Sequence, residues 1–318
     1  MISTSSSPFL IGNSIVTTNT TPKASATAPK HKLVLPAPAK INLFLHINGQ
    51  RANGYHDLQT IFIFLDHADT LSFETTDDGQ IQLSCDNSEL VNDDNLIIGA
   101  AKLLQPLRPR LGQGVKIHLD KILPMGGGVG GGSSDAATTM LALNQLWQLG
   151  LSTAELAKLG LSLGADIPVF IHGHAVFAEG VGEVFTPYSP PECWYLVAKP
   201  DCHVSTAKIF THPDLPRDTA TISPAKYHFD HSRNDCEALV KKLYPEVANT
   251  IERLLEYAPT RLTGTGACVF SVFTDRADAE QALAKTKAYL PQNMSIFIAK
   301  GLNVSPTLTA LNQAMKQE

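Results

Sequence analysis

The chain has 318 residues, 43% hydrophobic and 17% charged, with a net charge of -5. These are the proportions of a globular chain of one large or two ordinary domains. The mild acidity argues against a dedicated nucleic-acid binder, and the absence of any apolar run of 18 or more residues excludes a plain membrane-spanning helix.

Residues 1–32 are rich in Ser and Thr and contain no Asp or Glu. They read as a disordered N-terminal tail. A targeting peptide is the sharper alternative, weakened by the lack of Arg and of an amphipathic helix. From Leu33 the pattern tightens. Ile41, Leu43, Leu45 and Ile47 alternate with Asn42, Phe44 and His46. That spacing predicts a half-buried strand with Lys40 and Asn42 on the face opposite the leucines. Residues 61–65 and 70–73 read as two further strands. Asp93 or Asp94 is placed to cap a helix running to about Leu104.

Val115, Ile117 and Leu119 alternate in a strand that leads into PMGGGVGGGSSDAAT, residues 124–138. Glycine at this density turns tightly and lets backbone N–H groups approach a ligand. A helix starting directly after it, capped by Ser133 or Ser134 and carrying Met140, Leu141 and Trp147 on one face, adds free N–H donors and a positive dipole end. The segment is therefore an anion site in waiting. It is not a dinucleotide loop: Gly126, Gly128 and Gly131 satisfy G-x-G-x-x-G, but the next twenty residues read as helix, not as a strand ending in an acid. No Gly-Lys-Ser/Thr follows, so it is not a Walker loop. A flexible linker would not be flanked by such regular patterns.

Ser152 and Glu155 have capping-box spacing for a helix holding Leu156, Leu159 and Leu163, ended by Gly164. Asp166 stands just past that stop, before Pro168. Residues 188–192 are turn-rich and read as a domain junction. Beyond them lie a strand over 194–198, two helical patterns, a strand over 268–273, a helix over 278–289 and a strand over 295–299. Strands and helices mixed in this way predict a two-layer α+β fold. The five cysteines, Cys85, Cys193, Cys202, Cys236 and Cys268, form no C-x-x-C pair and are odd in number. They read as reduced thiols in a cytoplasmic compartment. His172 and His174 have no evident third ligand, so no protein-built metal cluster is expected.

Five segments occur in order: P-A-K-I-N-L at 38–43, G-Y-H-x-L-x-T at 54–60, the glycine loop, G-A-D-I-P at 164–168 and T-G-T-G-A at 263–267. Together they resemble the GHMP small-molecule kinases over roughly residues 33–310. Val129 stands where that family usually has Leu, and Asp135 where some members have Asn. The resemblance implies a two-domain α+β fold. Residues 33–190 would form a ribosomal-protein-S5-like ATP domain, and residues 191–318 a ferredoxin-like α/β-sandwich domain for the substrate.

Asp166 is then the expected catalytic base and Lys40 its electrostatic partner. ATP, with Mg, would lie against Pro124, Met125, Gly126, Gly127, Gly128, Val129, Gly130, Gly131, Gly132, Ser133 and Ser134, with Ser133 a candidate Mg contact. Asn95, Leu96 and Ile97 resemble the family's adenine segment, with Lys121 a further contact. Asn42, Tyr55, His56, Thr206, Phe210, Gly264, Thr265 and Gly266 fall to the acceptor, with Tyr55, His56 and Phe210 around a cytosine base. Such a kinase would act on a small molecule as a monomer or homodimer, with no nucleic-acid or membrane partner. A family member with a base-free acceptor, such as a mevalonate or homoserine kinase, has no use for the Tyr55–His56 pair. A non-enzymatic protein of this fold has no use for intact Lys40 and Asp166.

Overall fold

The computed structural model describes residues 31–287, 289–291 and 294–316. Residues 1–30, nearly all of the expected tail, lie outside the described residues. Lys32, assigned to that tail, already belongs to the first strand.

In the first half, β1 (Lys32–Gln50) and β2 (His56–Thr76) form a long antiparallel hairpin. Then come β3 (Ile81–Cys85), α1 (Leu96–Leu104) and β4 (Gly114–Asp120), with β3 and β4 parallel. Three helices follow, α2 (Gly131–Leu146), α3 (Thr153–Leu161) and α4 (Ile167–His172), and then the hairpin of β5 (Val176–Glu179) and β6 (Val184–Pro187). The second half holds β7 (Trp194–Lys199), α5 (Thr206–Thr211), α6 (Glu237–Leu243), α7 (Pro245–Leu255), β8 (Thr260–Leu262), β9 (Val269–Phe273), α8 (Arg276–Thr286), β10 (Ser295–Leu302) and α9 (Pro306–Ala314). One sheet path runs β3-β4-β2-β10-β7-β9-β8. β10 is its hinge, pairing β7 over most of its length and β2 through Gly301 and Leu302. After β10 the chain returns to the first half, where the Thr307 hydroxyl donates to the Pro36 carbonyl at 2.7 Å. No helix among the described residues is long and apolar enough to cross a membrane.

β1 is buried on both faces, not half-buried as its alternation suggests. The strand threads three apolar clusters in turn. Leu33, Leu35 and Ala37 pack under α2 and α4 residues, Ala39, Ile41, Leu43 and Phe44 pack with Tyr195 and Phe270, and Leu45 and Ile47 join the cluster under α6 and α7. A register shift between Asn42 and Leu45 breaks strict alternation, as a bulge does. Phe44, expected on the polar face, is therefore core. Lys40 and Asn42 are buried polar groups that must find partners.

Other boundaries also move. Residues 61–65 and 70–73 belong to one strand, because the polar residues between them are answered in place: Asp66 Oδ1 accepts from the Lys300 N–H at 2.7 Å. α1 is capped by Asn95, whose Oδ1 accepts from the Ile97 N–H, not by Asp93 or Asp94. α2 begins at Gly131 with Gly130 in the cap position, so Ser133 and Ser134 lie inside its first turn and cap nothing. The Ser152–Glu155 capping box forms, but α3 stops at Leu161 and leaves Leu163 outside. Asp275 caps α8, which covers Arg276–Thr286.

Candidate active site

Lys40 and Asp166 meet although 125 residues separate them. Their approach is built from both sides. On β1, burial leaves the Lys40 ammonium, in a residue 2% exposed, to donate to Asn42 Oδ1 at 2.8 Å and to the Gly128 carbonyl at 3.4 Å. The Phe62 ring lies 5.0 Å beneath it. On the other side, Asp166 occupies the cap position of α4, with Pro168 in the first turn where its missing N–H costs nothing. Its carboxylate makes no capping bond. It reaches Lys40 Nζ at 3.2 Å instead, with 37% of the side chain still open to solvent.

Asn42 locks the same strand. Its Nδ2 donates to Thr60 Oγ1 at 3.0 Å and its N–H to Thr263 Oγ1 at 3.0 Å. Thr263 opens the turn that joins β8 to β9. In that turn the Gly266 N–H donates to the Thr263 carbonyl at 3.0 Å, and the Thr265 hydroxyl pairs with Thr206 on α5 at 2.8 Å.

The glycine loop is pinned by its carbonyls. Gly127 O accepts from the Cys268 N–H and Val129 O from the Lys40 N–H, both at 2.9 Å. Gly128 O takes the Lys40 ammonium and the Thr263 hydroxyl. Ser134 N–H, at 2.8 Å from Gly130 O, is an early rung of α2, so the preceding N–H groups have no partner within the helix. Gly128 and Gly130 must be glycine here. Both have φ near +77 (78 and 76), and a Cβ would lie 2.6 Å from the Thr263 carbonyl oxygen or 2.8 Å from the Phe170 ring. The Ser134 hydroxyl is buried without a partner. A cradle that only glycine permits, a helix N-terminus and an unspent hydroxyl together suit a phosphate chain.

One cavity of about 580 Å³ gathers much of this. Lys40, Asn42, Gly128, Ser133 and Asp166 line it, and so do Tyr55, His56, Thr206, Phe210, Gly264 and Thr265. Tyr55, on the β1–β2 turn, is 61% exposed, whereas His56 is buried with its ring centroid 5.1 Å from that of Phe210. Burial, and then the Arg217 guanidinium beside it, hold the His56 imidazole below its ordinary value. Ala165, Val181 and Gly182 also line the cavity. Ala165 lies within the G-A-D-I-P segment but has no assigned role, and Val181 and Gly182 carry no chemical signal in the sequence because a short G-V-G turn has none.

The remaining expected residues lie elsewhere. Gly266, Pro124, Met125, Gly126, Gly127, Val129, Gly130, Gly131, Gly132 and Ser134 do not line this cavity, nor do Asn95, Leu96, Ile97 and Lys121. The Asn95 side chain is spent on structure: Oδ1 caps α1 and Nδ2 donates to the Leu90 carbonyl at 2.8 Å. Lys121 is clasped by two carboxylates, Asp69 Oδ2 at 2.5 Å and Asp135 Oδ2 at 2.6 Å. Asp69 Oδ1 also accepts from the N–H groups of Ile122 and Leu123. This trio ties the start of the glycine loop to the first turns of α2. Burial opposes the Lys121 charge, but Asp135 and Asp69 outweigh it and raise its pKa. Burial, reinforced by the like charge of Asp69 against the pull of Lys121, pushes the Asp135 carboxyl up to about 7.

The chain matches the sequence family of the GHMP kinases N terminal domain over residues 95–174 and that of the GHMP kinases C terminal over residues 221–292. A 4-diphosphocytidyl-2-C-methyl-D-erythritol kinase of Shewanella putrefaciens is 58% identical over 278 residues, spanning 87% of this chain and 96% of the relative. The protein of the same name from Shewanella woodyi is 57% identical over 279 residues, with the same coverage. Among solved structures, a 4-(cytidine 5'-diphospho)-2C-methyl-D-erythritol kinase superposes with a TM-score of 0.73 at 29% identity, over 85% of this chain and 99% of the other. A mevalonate kinase superposes at 0.62 with 18% identity over 85% and 99%, which speaks for the fold alone.

Proposed function

The chain belongs to the GHMP kinases, and from that premise we propose which alcohol this small-molecule kinase phosphorylates and how. The acceptor is 4-diphosphocytidyl-2-C-methyl-D-erythritol and its 2-hydroxyl receives the γ-phosphoryl group of ATP, a step in the non-mevalonate route to isoprenoid precursors. Relatives of that name at 57–58% identity support the reading. The observation that carries it is one cavity lined both by the Lys40–Asp166 pair and by the aromatic group of Tyr55, His56 and Phe210. An acceptor without a base would need only the first.

Phosphoryl transfer asks a protein for positioning and charge neutralisation more than for covalent chemistry. Asp166 accepts the proton of the acceptor hydroxyl as its oxygen attacks in line. The new O–P bond forms, the bond to the bridging oxygen of ATP breaks, and ADP leaves with the electron pair. A carboxylate not spent on a helix cap is free for that work. Lys40, held by Asn42 and Gly128, orients Asp166 and offsets charge on the transferring group. Backbone N–H groups of residues 126–133 hold the phosphates. Mg would be held in the same cradle, with Ser133 or Ser134 contacting it through the hydroxyl, and would supply charge neutralisation on the phosphate oxygens.

In this reading residues 33–190 supply the ATP cradle and residues 191–318 complete the acceptor site through α5 and the β8–β9 turn. Tyr55, His56 and Asn42 reach across from the first half. The enzyme works in the cytoplasm as a monomer or homodimer.

Tyr55 tests the acceptor assignment. It is largely exposed, so Tyr55→Ala leaves the fold intact. Losing one stacking partner is expected to raise KM for the cytidyl acceptor roughly 5- to 150-fold, the equivalent of about 1–3 kcal/mol. KM for ATP should stay nearly constant in the same steady-state assay. An equal rise in both would remove Tyr55 from the base.

A further inference from the structure

We propose that Arg217 is a positioning residue that selects the acceptor's base by fixing the tautomer of His56. The inference deepens the acceptor reading above and rests on it. Arg217 lies in the segment after α5, and its guanidinium is gripped by backbone carbonyls there. Nη1 donates to Leu215 O at 2.9 Å, and Nη2 donates to Phe210 O at 2.8 Å and to His212 O at 2.9 Å. Nε is turned on His56, 3.0 Å from its Nε2.

A guanidinium is a donor only and does not give up its proton in a protein. Nε2 of His56 must therefore accept, and the single proton of the neutral ring resides on Nδ1. A second ring proton would set two N–H groups against each other. The lowered pKa of this buried imidazole, caused by burial and then the Arg217 charge, agrees with a ring that stays neutral at pH 7. Three backbone anchors keep Arg217 from turning away, so the tautomer is fixed before any ligand arrives.

His56 lines the cavity beside Tyr55 and Phe210. Its Nδ1–H is thus a fixed donor for a base stacked there. Cytosine carries an unprotonated N3 that accepts such a donor. Uracil carries N3–H, which meets it donor against donor. With the proton on Nε2 instead, Nδ1 would accept and the preference would reverse. Arg217 makes no contact that the chemical step requires, yet it decides which pyrimidine the site reads.

The test combines the ring state with the kinetics. Nitrogen-15 NMR of His56 in the full chain is expected to give a protonated Nδ1 and an unprotonated Nε2 in the parent protein. Arg217→Met should shift the ring toward the Nε2–H form. It should also raise KM for the cytidyl acceptor about 10-fold or more with a much smaller change in kcat. The kcat/KM preference for the cytidyl acceptor over its uridyl analogue should fall roughly 10- to 100-fold, the scale of one unsatisfied buried polar group. Arg217→Lys keeps a charged donor and should retain the tautomer and most of the preference. A parent His56 protonated on Nε2 overturns the proposal. So does an Arg217→Met protein that loses the preference with its tautomer unchanged, or one that keeps both. A parent enzyme that turns over no cytidyl acceptor would refute the acceptor reading instead, and the NMR result would still decide whether Arg217 sets the ring.

Discussion

Asp166→Asn is expected to lower kcat by roughly 10²–10⁴-fold, the contribution of a positioned base, with ATP binding retained. The fold does not depend on the lost charge. Asp166 caps no helix, its side chain is 37% exposed, and Asn has nearly the same shape. Lys40 keeps its bonds to Asn42 and Gly128. The variant should therefore unfold close to the parent temperature and bind ATP with similar affinity by calorimetry, yet turn over slowly. A rate near that of the parent would remove Asp166 as the base.

Lys40→Met carries the second large effect. The ammonium is buried and contacts Asp166 Oδ2, Asn42 Oδ1 and the Gly128 carbonyl. It touches both the candidate base and the glycine loop. Loss of a charge aimed at the transferring group is expected to reduce kcat by roughly 10²–10³-fold. Met fills a similar volume. Asn42 Oδ1 retains the Thr263 hydroxyl, and Asp166 retains water. Removing one partner of a buried ion pair is costly when it strands the other charge out of water, but the Asp166 side chain is 37% exposed, so thermal unfolding should change far less than the rate. A comparable collapse of stability and activity would make Lys40 a structural residue only.

Much of the fold could be read from the chain where one apolar period dominated. The Ser152–Glu155 box formed because both partners are local. β7 matched its predicted span to within a residue because it is a continuous apolar run. The reading failed where tertiary contacts override local pattern. β1 looked half-buried because alternation reports one apolar face, and nothing local reveals that the second face enters another cluster. β8 has three residues and β6 is mostly exposed, so neither carries a usable period. Ser133 and Ser134 looked like caps since Ser is favoured there, but a left-handed Gly130 already turns the chain.

The grouping of residues at the candidate site was suggested by the motifs rather than by spacing. Lys40, Asp166 and the T-G-T-G-A turn are far apart in the chain, and only the ordered motifs placed them in one reading. Two features had no sequence signal. Asp69 sits in the polar break between two apolar runs, where it reads as a turn residue, and is matched by Lys121 and Asp135 only after folding. Arg217 lies in a proline-flanked turn, where an arginine reads as solvated until the His56 ring is seen against it.

The central claim is that the cavity takes a cytidyl acceptor to the Lys40–Asp166 pair. ATP turnover with 4-diphosphocytidyl-2-C-methyl-D-erythritol, compared with mevalonate and homoserine under the same conditions, tests it most directly. Rapid ADP formation is expected with the cytidyl acceptor and none above background with the other two. Turnover of mevalonate or homoserine at an equal or greater rate would contradict it.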